Sequence, residues 1–477
     1  MDIHPKVREI LKLLQENGHL AYVVGGCVRD MLMNRHPTDW DVTTDADPER
    51  LQQLFPDSFY DNAFGTVTIK TRSEDPIVWT VQVTPFRREG KYSDKRHPDR
   101  IEFAKTVEED LARRDFTMNA IAVSLDRTIV DPYNGQDDIK AQVVRAVGNP
   151  HERFTEDALR MMRAVRFSAT LDFSIDDATL KALTELSANI RAISAERVRD
   201  ELIKIIDSSR AMAGIELLDA TGLLRYIMPE LQEGIGVGQN LHHIYTVWEH
   251  SLRTLDYVAK KGYSFPVRMA ALLHDVGKPR TKAGEGSHST FYAHDTVSAR
   301  MTRDIMKRLK FPNETTDQVI RLVRYHMFYY NVGEVTEASV RRLLAKVGQD
   351  HIDELLRLRE GDRIGSGTPK AVPYKLRHLK YMIDKVSHDP ISAKMLKVNG
   401  QDVMDELKIP PGPKVGLILN TLLAEVLDDP ALNDRPLLLQ RARELSKSSS
   451  ADLQKALDRI EQAQEAQERE RMKKYYV

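Results

Sequence analysis

Residues 23–47 read VVGGCVRDMLMNRHPTDWDVTTDAD, and this stretch decides the fold of the N-terminal part of the chain. A short β-rich run, AYVVGG, ends at Gly25 and Gly26, and a second, WDVTT, begins at Trp40, directly after Asp39. Alternate side chains of an extended segment lie on one face, so the two carboxylates would repel each other unless a cation lay between them. The stretch therefore predicts either a cation site or a solvated turn.

The residues around the aspartate pair favour the cation site. An isolated Asp-x-Asp is weak evidence, because aspartate is common in turns. Here Gly25 and Gly26 would let the backbone approach a phosphate closely, and Arg29 can pair with that phosphate. Mg²⁺ prefers a few carboxylates together with substrate phosphates. The combination indicates a site for a metal-bound triphosphate.

Composition limits the classes of protein that this chain can belong to. The 477 residues, of which 41% are hydrophobic, are enough for several domains. The formal net charge of -1 excludes nucleic-acid binding by bulk charge, so any such site must be a local patch. Cys27 is the single cysteine, which excludes an intrachain disulfide framework. Without an apolar run long enough to span a bilayer, the chain is expected to be soluble and cytoplasmic.

The pattern of the chain changes near residue 150. Before it, an amphipathic run KVREILKLLQENG predicts a helix ending at Asn17-Gly18, and the runs AYVVGG, WDVTT, GTVTIK, IVWTVQVTPF and AIAVSL predict strands of a mixed α/β domain. From Arg153 onward, apolar residues recur at three- and four-residue spacing, which predicts helices almost throughout. Glycines at 234, 236 and 238 and the stretch GSGTPKAVP at 365–373 predict two joints.

Five motifs occur in an order that is specific to one family. They are VVGGCVRD, DWDVTT, FRREGKYSDKRHP, EEDLARRDFTMNAIA and RFTEDALRMMRAVRF. Over roughly the first 230 residues, their order and spacing resemble those of the class II CCA-adding tRNA nucleotidyltransferases and the related bacterial poly(A) polymerases. The segment from Asn399, NGQDVMDELKIPPGPKVGLILNTLLAEV, is similar to the tail of the same enzymes.

The resemblance implies a nucleotidyltransferase head of the polymerase β type, followed by a helical neck, body and tail. It implies that Asp39 and Asp41 are catalytic and bind Mg²⁺, and that Gly26, Arg29 and Arg114 contact the nucleotide. The implied reaction adds C, C and A from CTP and ATP to the 3′ end of tRNA without a nucleic-acid template, and releases pyrophosphate. Addition of the terminal A alone and poly(A) synthesis are alternatives within the family.

The stretch EDALRMMRAVRF carries a second pair of candidate residues. Asp157 and Arg160 are three residues apart, so one helix would place them on the same face, where an ordinary ion pair is the alternative reading. Cytosine and adenine both present an amino donor beside a ring-nitrogen acceptor, which a carboxylate and a guanidinium could read together. In the family that the chain resembles, this pair acts as a protein template. Arg163 and Arg166 continue a basic stripe that could hold triphosphate or the RNA end, with surface solvation as the alternative.

One position departs from the family pattern. Relatives usually carry a glutamate in a strand that reads like EVTTFR, whereas this chain reads QVTPFR with Gln82. A neutral amide binds a cation poorly, which puts any role for a third carboxylate in doubt. The following loop, REGKYSDKRHP, is complete, and this favours a protein that can also add ATP.

A second constellation begins near residue 241. His250, His274, Asp275, His294 and His326 fall on successive predicted helices, with one His-Asp pair adjacent in sequence. A single helical histidine is usually structural, but this grouping resembles the metal centre of an HD-domain phosphohydrolase. Imidazole ligands favour Ni²⁺, Co²⁺ or Mn²⁺ over Mg²⁺. A retained but inactive HD domain that serves as scaffold is the alternative.

These observations give one expected fold class and two functional hypotheses. The fold class is an α/β head with a mixed sheet, followed by an all-α neck, body, HD domain and tail. The hypotheses are a tRNA nucleotidyltransferase with a secondary hydrolase, and a phosphohydrolase of RNA ends whose N-terminal part is an RNA-binding module. The expected domains are 1–147 (head), 148–233 (neck and body, with the nucleotide-templating helices), 241–365 (HD domain) and 374–477 (tRNA-binding tail with a charged terminal helix).

Overall fold

A computed structural model describes residues 2–61, 65–89, 101–240 and 244–473. The chain folds as two compact units, one of Met1–Gln232 with Arg308–Lys310 and one of Glu233–Lys307 with Phe311–Val477. The finer division into four domains stays a prediction. Most of the loop REGKYSDKRHP lies outside the described residues. None of the described helices is long and apolar enough to cross a membrane.

The first unit contains the predicted mixed sheet. Its described strands are β1 (Ala21–Val24), β2 (Asp41–Thr44), β3 (Ser58–Asp61), β4 (Thr66–Lys70), β5 (Thr80–Pro85), β6 (Arg87–Glu89), β7 (Ile101–Phe103), β8 (Ala122–Ser124), β9 (Ile129–Val130), β10 (Val143–Val144) and β11 (Ser174–Ile175). Seven of them form one sheet in the order β3-β4-β5-β2-β1-β8-β9, in which only β2 and β5 run parallel. All five predicted strand runs are confirmed, since each contains one of these strands; β5 alternates between buried and more exposed residues, whereas β1, β2, β4 and β8 are buried over most of their length.

The helices of the first unit surround this sheet and continue beyond it. Those described are α1 (Pro5–Glu16), α2 (Gly26–Leu32), α3 (Pro48–Leu54), α4 (Val107–Ala112), α5 (Gly135–Ala141), α6 (Pro150–Glu156), α7 (Leu159–Leu171), α8 (Asp177–Leu186), α9 (Ala195–Ile206), α10 (Ala211–Ala220), α11 (Leu224–Ile227) and α12 (Pro229–Gln232). The predicted N-terminal helix ends as expected, with Asn17 at its C-cap and Gly18 at φ +82°. One buried core of this unit includes Val24, Phe86, Leu111 and Val147.

The second unit is helical, as the apolar spacing predicted. Its described helices are α13 (Val247–Lys260), α14 (Phe265–Leu273), α15 (Lys278–Thr281), α16 (His294–Arg308), α17 (Asn313–Tyr325), α18 (Glu337–Val347), α19 (Ile352–Gly365), α20 (Tyr374–Val386), α21 (Gly400–Leu407), α22 (Pro413–Asp428), α23 (Arg435–Ser446) and α24 (Ser450–Lys473). Helices α21 to α24 share a core around Val403, Ile418, Leu422 and Leu438. The long charged helix α24 contributes buried Leu453 to this core.

Two glycines on α19 explain its close approach to α13. A Cβ added at Gly361 would lie 2.7 Å from Val258 Cγ1, and one at Gly365 would lie 2.9 Å from the backbone oxygen of His250. Since the two glycines are four residues apart, they lie on one face of α19. This face packs directly on α13, the helix that carries His250.

Candidate functional site

The glycine turn lies at the same edge of the sheet as the aspartate pair. Strand β1 ends at Val24, which is paired with Asp41 at the start of β2. Gly25 follows at φ +80°, a conformation that favours glycine, and α2 begins at Gly26. A Cβ added at Gly25 would lie 3.7 Å from Asp41 Oδ2, and one at Gly26 would lie 3.9 Å from Asp39 Oδ1. The turn and both carboxylates therefore form one site.

The carboxylates of this site are poorly compensated by the protein itself. Trp40, between them, points into the core and is 5% exposed, whereas Asp39 is exposed and Asp41 is half-buried. Burial and the negative charge of Asp39 raise the pKa of Asp41 to about 6, and Arg114 only partly opposes this. Ionised Asp41 is thus destabilised in the protein alone. A bound cation would remove this cost, so the donor set fits a divalent metal.

Gln82 lies directly opposite Asp41. The two residues are partners in the parallel β2–β5 pair, so their side chains share one face of the sheet. Gln82 is exposed. The position that departs from the family pattern is therefore next to the proposed metal ligands, where an amide oxygen could accept a hydrogen bond but brings no charge.

Two of the predicted nucleotide-binding arginines are held in place by acidic partners. Arg114 donates to buried Asp110 at 3.2 Å, and a Cβ added at Gly25 would lie 3.1 Å from its Nη1. Arg29 donates to Asp30 at 2.7 Å and to the side-chain oxygen of Asn119 at 2.9 Å. Both guanidinium groups are thereby oriented beside the glycine turn before any nucleotide binds.

The expected single helix around Asp157 and Arg160 is wrong in detail. Helix α6 ends at Glu156, Asp157 has extended backbone angles, and α7 begins at Leu159. The Asp157 carboxylate accepts from the Leu159 N–H at 3.0 Å and from Arg197 Nη2 at 2.9 Å. This local hydrogen bond competes with a continuous helix. Asp157 therefore sits at a break, where its orientation is set by α9 as well as by its own segment.

Arg160 is fixed separately, deep in the same region. It is 8% exposed and donates to Glu156 Oε2 at 2.7 Å and to the backbone oxygen of Arg113 at 3.0 Å. The second bond ties α7 to the segment that carries Arg114. A charge this buried and this well bonded is held rigidly.

Arg163, whose side chain is 34% exposed, and Arg166 are each paired with a buried acidic side chain. Arg163 donates to Asp115 Oδ2 at 2.7 Å, and, although burial opposes it, this guanidinium lowers the pKa of Asp115 to about 2. Arg166 lies 3.1 Å from Glu201 and 4.0 Å from the centre of the Phe167 ring. With its side chain 12% exposed, burial lowers the pKa of Arg166 to about 10, so simple surface solvation does not describe it.

The second unit brings all five predicted HD residues together. Both carboxylate oxygens of Asp275 face imidazoles: Oδ2 lies 3.2 Å from His250 Nε2 and 3.3 Å from His274 Nε2, and Oδ1 lies 3.3 Å from His294 Nε2 and 3.6 Å from His326 Nε2. All five side chains are buried. The ligand atoms form two groups that could each hold a metal ion, and Asp275 belongs to both.

Backbone carbonyls determine which ring nitrogen of each histidine faces the centre. The Nδ1 atoms of His274, His294 and His326 lie 2.9, 2.8 and 2.7 Å from the carbonyl oxygens three residues earlier. A carbonyl only accepts, so each neutral ring must carry its proton on Nδ1 and present a lone pair at Nε2. The Nε2 atoms of His294 and His326 are 3.3 Å apart, and two such lone pairs repel without a cation. The arrangement fits metal binding.

The sequence analysis missed a second carboxylate of this centre. Asp362 Oδ1, on α19, lies 3.4 Å from His250 Nε2 and 3.9 Å from His274 Nε2. Although burial opposes it, hydrogen bonds to Asp275 and Asp362 raise the pKa of His250 above its ordinary value. The centre therefore attracts positive charge. The signal in the sequence was the Gly361-Asp362-Gly365 spacing, because small residues that flank a carboxylate on a helix permit close packing.

Lys278 is a further buried charge at this centre that the sequence analysis did not single out. Its Nζ lies 2.6 Å from Asp275 Oδ2 and 2.7 Å from Gln239 Oε1, and the residue is 6% exposed. Gly277, just before it, lets α16 with His294 approach closely, since a Cβ there would lie 2.6 Å from the backbone nitrogen of Ser298 and 2.9 Å from the backbone oxygen of His294. A lysine so placed orients the Asp275 carboxylate and adds a positive charge beside it.

Comparison with known proteins gives a consistent family. Three protein families match in succession: "Poly A polymerase head domain" at residues 21–145, "Probable RNA and SrmB- binding site of polymerase A" at 172–235, and "HD domain" at 247–359. The CCA-adding enzyme of Limosilactobacillus reuteri (strain DSM 20016) is 30% identical over 451 residues, which cover 93% of this chain and 98% of that protein. The A-adding tRNA nucleotidyltransferase of Deinococcus radiodurans is 33% identical over 417 residues, which cover 84% and 90%.

Solved structures show the same likeness. The crystal structure of the Bacillus stearothermophilus CCA-adding enzyme in complex with CTP matches with a TM-score of 0.66 and 27% identity, over 93% of this chain and 100% of that one. The Thermotoga maritima CCA-adding enzyme complexed with tRNA matches in fold, with a TM-score of 0.55 and 18% identity over 93% and 96%. These matches extend the likeness over nearly the whole chain.

Proposed function

The chain belongs to the CCA-adding enzyme family, and from this premise we propose that it adds C, C and A to the 3′ end of tRNA from CTP and ATP. The observation that carries the proposal is the joining of Asp39 and Asp41 to the Gly25-Gly26 turn at one sheet edge. With tRNA as its substrate, the activity is assigned to the cytoplasm as part of the same proposal.

The chemistry is a nucleotidyl transfer. The terminal hydroxyl oxygen of the RNA bonds to the α-phosphorus, the bond from this phosphorus to the bridging oxygen breaks, and pyrophosphate leaves. Mg²⁺, held by Asp39 and Asp41, would supply activation of the hydroxyl and neutralisation of the leaving charge. Arg29 and Arg114 bind and orient the triphosphate, and Gly25 and Gly26 let it approach the backbone.

Asp157 and Arg160 select the base in this proposal. The carboxylate accepts from the amino group of cytosine or adenine, and the guanidinium donates to the neighbouring ring nitrogen. Uracil and guanine present the opposite pattern and leave both groups mismatched. The proposal is supported by the fixed positions of the two side chains, which Arg197 and Glu156 hold at 2.9 and 2.7 Å.

Loss of either selecting side chain is expected to weaken base selection. In Arg160→Lys the charge is kept but the forked geometry is lost, and in Asp157→Asn the amide can donate where the carboxylate could only accept. We expect the preference for CTP and ATP over UTP and GTP to fall about ten- to a hundredfold, the range for one hydrogen bond to a charged group. The measurement is kcat/KM for single-nucleotide addition with each triphosphate. Unchanged preferences in both variants would reduce the pair to a structural role.

Gln82→Glu is expected to change the head site moderately. The new carboxylate would share a face with Asp41, so it would increase repulsion without metal and strengthen metal binding. We expect the Mg²⁺ concentration at half-maximal extension to fall, with the rate at saturating Mg²⁺ within a few fold of wild type. A large gain in saturating rate would mean that the natural chain lacks a ligand that catalysis needs.

Addition of A alone is the second candidate, because the Deinococcus radiodurans relative is an A-adding enzyme. The discriminating test uses tRNA transcripts that end at the discriminator base, after C, and after CC, with each nucleotide supplied singly and together. Full CCA addition requires incorporation of C on the first two transcripts and of A on the third. Extension confined to the CC transcript would assign the A-only reaction.

The HD centre is proposed to hydrolyse phosphoesters with a bound transition metal. Its imidazole-rich donor set favours Ni²⁺, Co²⁺ or Mn²⁺, which would supply an activated water. For a 2′,3′-cyclic phosphate at an RNA end, the water oxygen bonds to phosphorus, the bond from phosphorus to O3′ breaks, and a proton of the water passes to O3′. The products are a 2′ phosphate and the free 3′ hydroxyl needed for extension. Asp275 would hold the metal, and Lys278, which is paired with it, would add a positive charge beside the reacting phosphate.

A further inference from the structure

Helix α20 presents aromatic and basic side chains along its exposed side. Tyr374, Arg377, His378 and Tyr381 follow the i, i+3, i+4, i+7 spacing of one helix face, and we call them the aromatic stripe. Tyr374 and Tyr381 are 61% and 60% exposed. The opposite face of the helix carries Leu376, Leu379, Ile383 and Val386, which are buried. The two tyrosines of the stripe therefore contribute little to the packing of α20.

The rings of the stripe are already organised as a surface. The His378 ring lies 6.1 Å from Tyr374, 6.0 Å from Tyr381 and 5.9 Å from Tyr330, measured between ring centres. The Tyr330 hydroxyl is hydrogen-bonded to His378 Nδ1, which fixes the central ring. Exposed rings held at such spacing are suited to stacking against flat, polarisable groups.

The stripe is connected to the HD centre by a short loop. The chain leaves the candidate ligand His326 and reaches Tyr330 four residues later, where it contacts α20. Phe328, in the same loop, has its ring centre 5.7 Å from the guanidinium of Arg359, which in turn donates to Asp362 at 2.6 Å. One continuous set of contacts therefore joins the ligands Asp362 and His326 to the aromatic stripe.

Arg377 gives the aromatic stripe a cation that is suited to a phosphate. Helix α20 also carries Lys375, Lys380 and Lys385, which bond within the protein to Asn331, Glu360 and Glu337. Arg377, within the stripe, donates to the backbone oxygen of Val372, an uncharged group. Cations interleaved with exposed aromatic rings are the arrangement that binds single-stranded nucleic acid, because bases stack on the rings while phosphates pair with the cations.

We propose that the aromatic stripe binds the last unpaired bases of an RNA strand whose terminal phosphoester is the substrate of the HD centre. The proposal rests on the hydrolase activity proposed above and names its substrate class: single-stranded RNA ends in place of free nucleotides or small phosphoesters. The stripe supplies affinity through the bases, and the metal centre acts on the phosphate.

The test compares Tyr374→Ala/Tyr381→Ala with the matched control Tyr374→Phe/Tyr381→Phe, which keeps both rings. Two substrates are used with Mn²⁺, Co²⁺ or Ni²⁺: an RNA hexamer that ends in a 2′,3′-cyclic phosphate, and bis(p-nitrophenyl) phosphate. We expect the alanine variant to raise KM for the hexamer at least about tenfold, the loss typical of one stacked base, and to leave hydrolysis of the small ester unchanged. The phenylalanine control should behave like wild type on both.

Equilibrium binding separates failure of this proposal from failure of the hydrolase. A fluorescein-labelled hexamer with a 3′ phosphate, which cannot be extended, should bind the alanine variant at least about tenfold more weakly than the control by fluorescence anisotropy. If wild type hydrolyses neither substrate, the proposed hydrolase activity is wrong. The difference in hexamer affinity between the two variants then still tests whether the aromatic stripe binds RNA. Equal hexamer affinity and equal KM in both variants overturn the proposal. If the alanine variant changes its oligomeric state but binds and hydrolyses the hexamer like the control, the proposal is overturned, and the stripe is instead a contact with a second copy of the chain.

Discussion

Asp41→Asn is expected to lower the rate of tRNA extension at least about a hundredfold while leaving the protein folded. Asparagine keeps the size of the side chain but cannot supply the charge that holds a divalent cation against the triphosphate. Burial and Asp39 raise the pKa of Asp41 to about 6, so the folded state disfavours its ionised form at neutral pH. Removing that charge should leave the melting temperature unchanged or slightly raised. The measurements are single-turnover extension and thermal unfolding.

A matched control for this change is Asp137→Asn in the same unit. Asp137 is 76% exposed and pairs with Lys140 on the surface of α5, so its loss should alter neither extension nor stability measurably. An Asp41→Asn protein that extends tRNA as fast as the control would remove the aspartate pair from the reaction. A variant that is inactive because it is unfolded would be recognised by its melting curve, and Asp39→Asn, at an exposed position, then gives the decisive rate.

The head could be predicted well because its signals are local. The runs around Val23 and Val42 are rich in β-branched residues, and the glycines between them mark a turn that glycine adopts easily, as φ +80° at Gly25 shows. The sequence analysis made no prediction for Trp40, which lies between the two aspartates and is buried. The pairing of Gln82 with Asp41 depends on sheet order, which local pattern does not contain.

Two of the differences between the sequence-based expectations and the structure have distinct physical causes. Apolar spacing runs unbroken through residues 156–167, so a single helix was expected, yet the Asp157 side chain accepts the Leu159 N–H and ends α6. An aspartate side chain can compete with the helical backbone for hydrogen bonds. This signal was present in the sequence, but the apolar spacing was given more weight. Asp362 was missed because its partner His250 is far away in sequence, and only the packing of α19 on α13 brings them together.

Asp275→Ala is expected to abolish phosphoester hydrolysis and to lower bound transition metal, while tRNA extension stays near wild type. Asp275 is the one carboxylate shared by the two ligand groups among the described residues, with Oδ2 toward His250 and His274 and Oδ1 toward His294 and His326. Its removal takes a ligand from both groups at once, so we expect hydrolysis to fall at least about a hundredfold. The measurements are bis(p-nitrophenyl) phosphate hydrolysis across Mn²⁺, Co²⁺, Ni²⁺ and Mg²⁺, metal content after dialysis, and extension of tRNA.

Two further variants make this result specific. Asp256→Asn, on the same helix as His250 but paired with Lys260 near the surface, is the control and should keep both metal and hydrolysis. His326→Ala removes a ligand from only one group, so it should retain more metal than Asp275→Ala if the centre holds two ions, and the same amount if it holds one.

Hydrolysis by Asp275→Ala at the wild-type rate would contradict the assignment of Asp275. Absence of hydrolysis in wild type with every metal would leave the HD centre a structural element of the second unit, since its buried imidazoles would then stabilise the packing of α13, α14, α16 and α17 without chemistry.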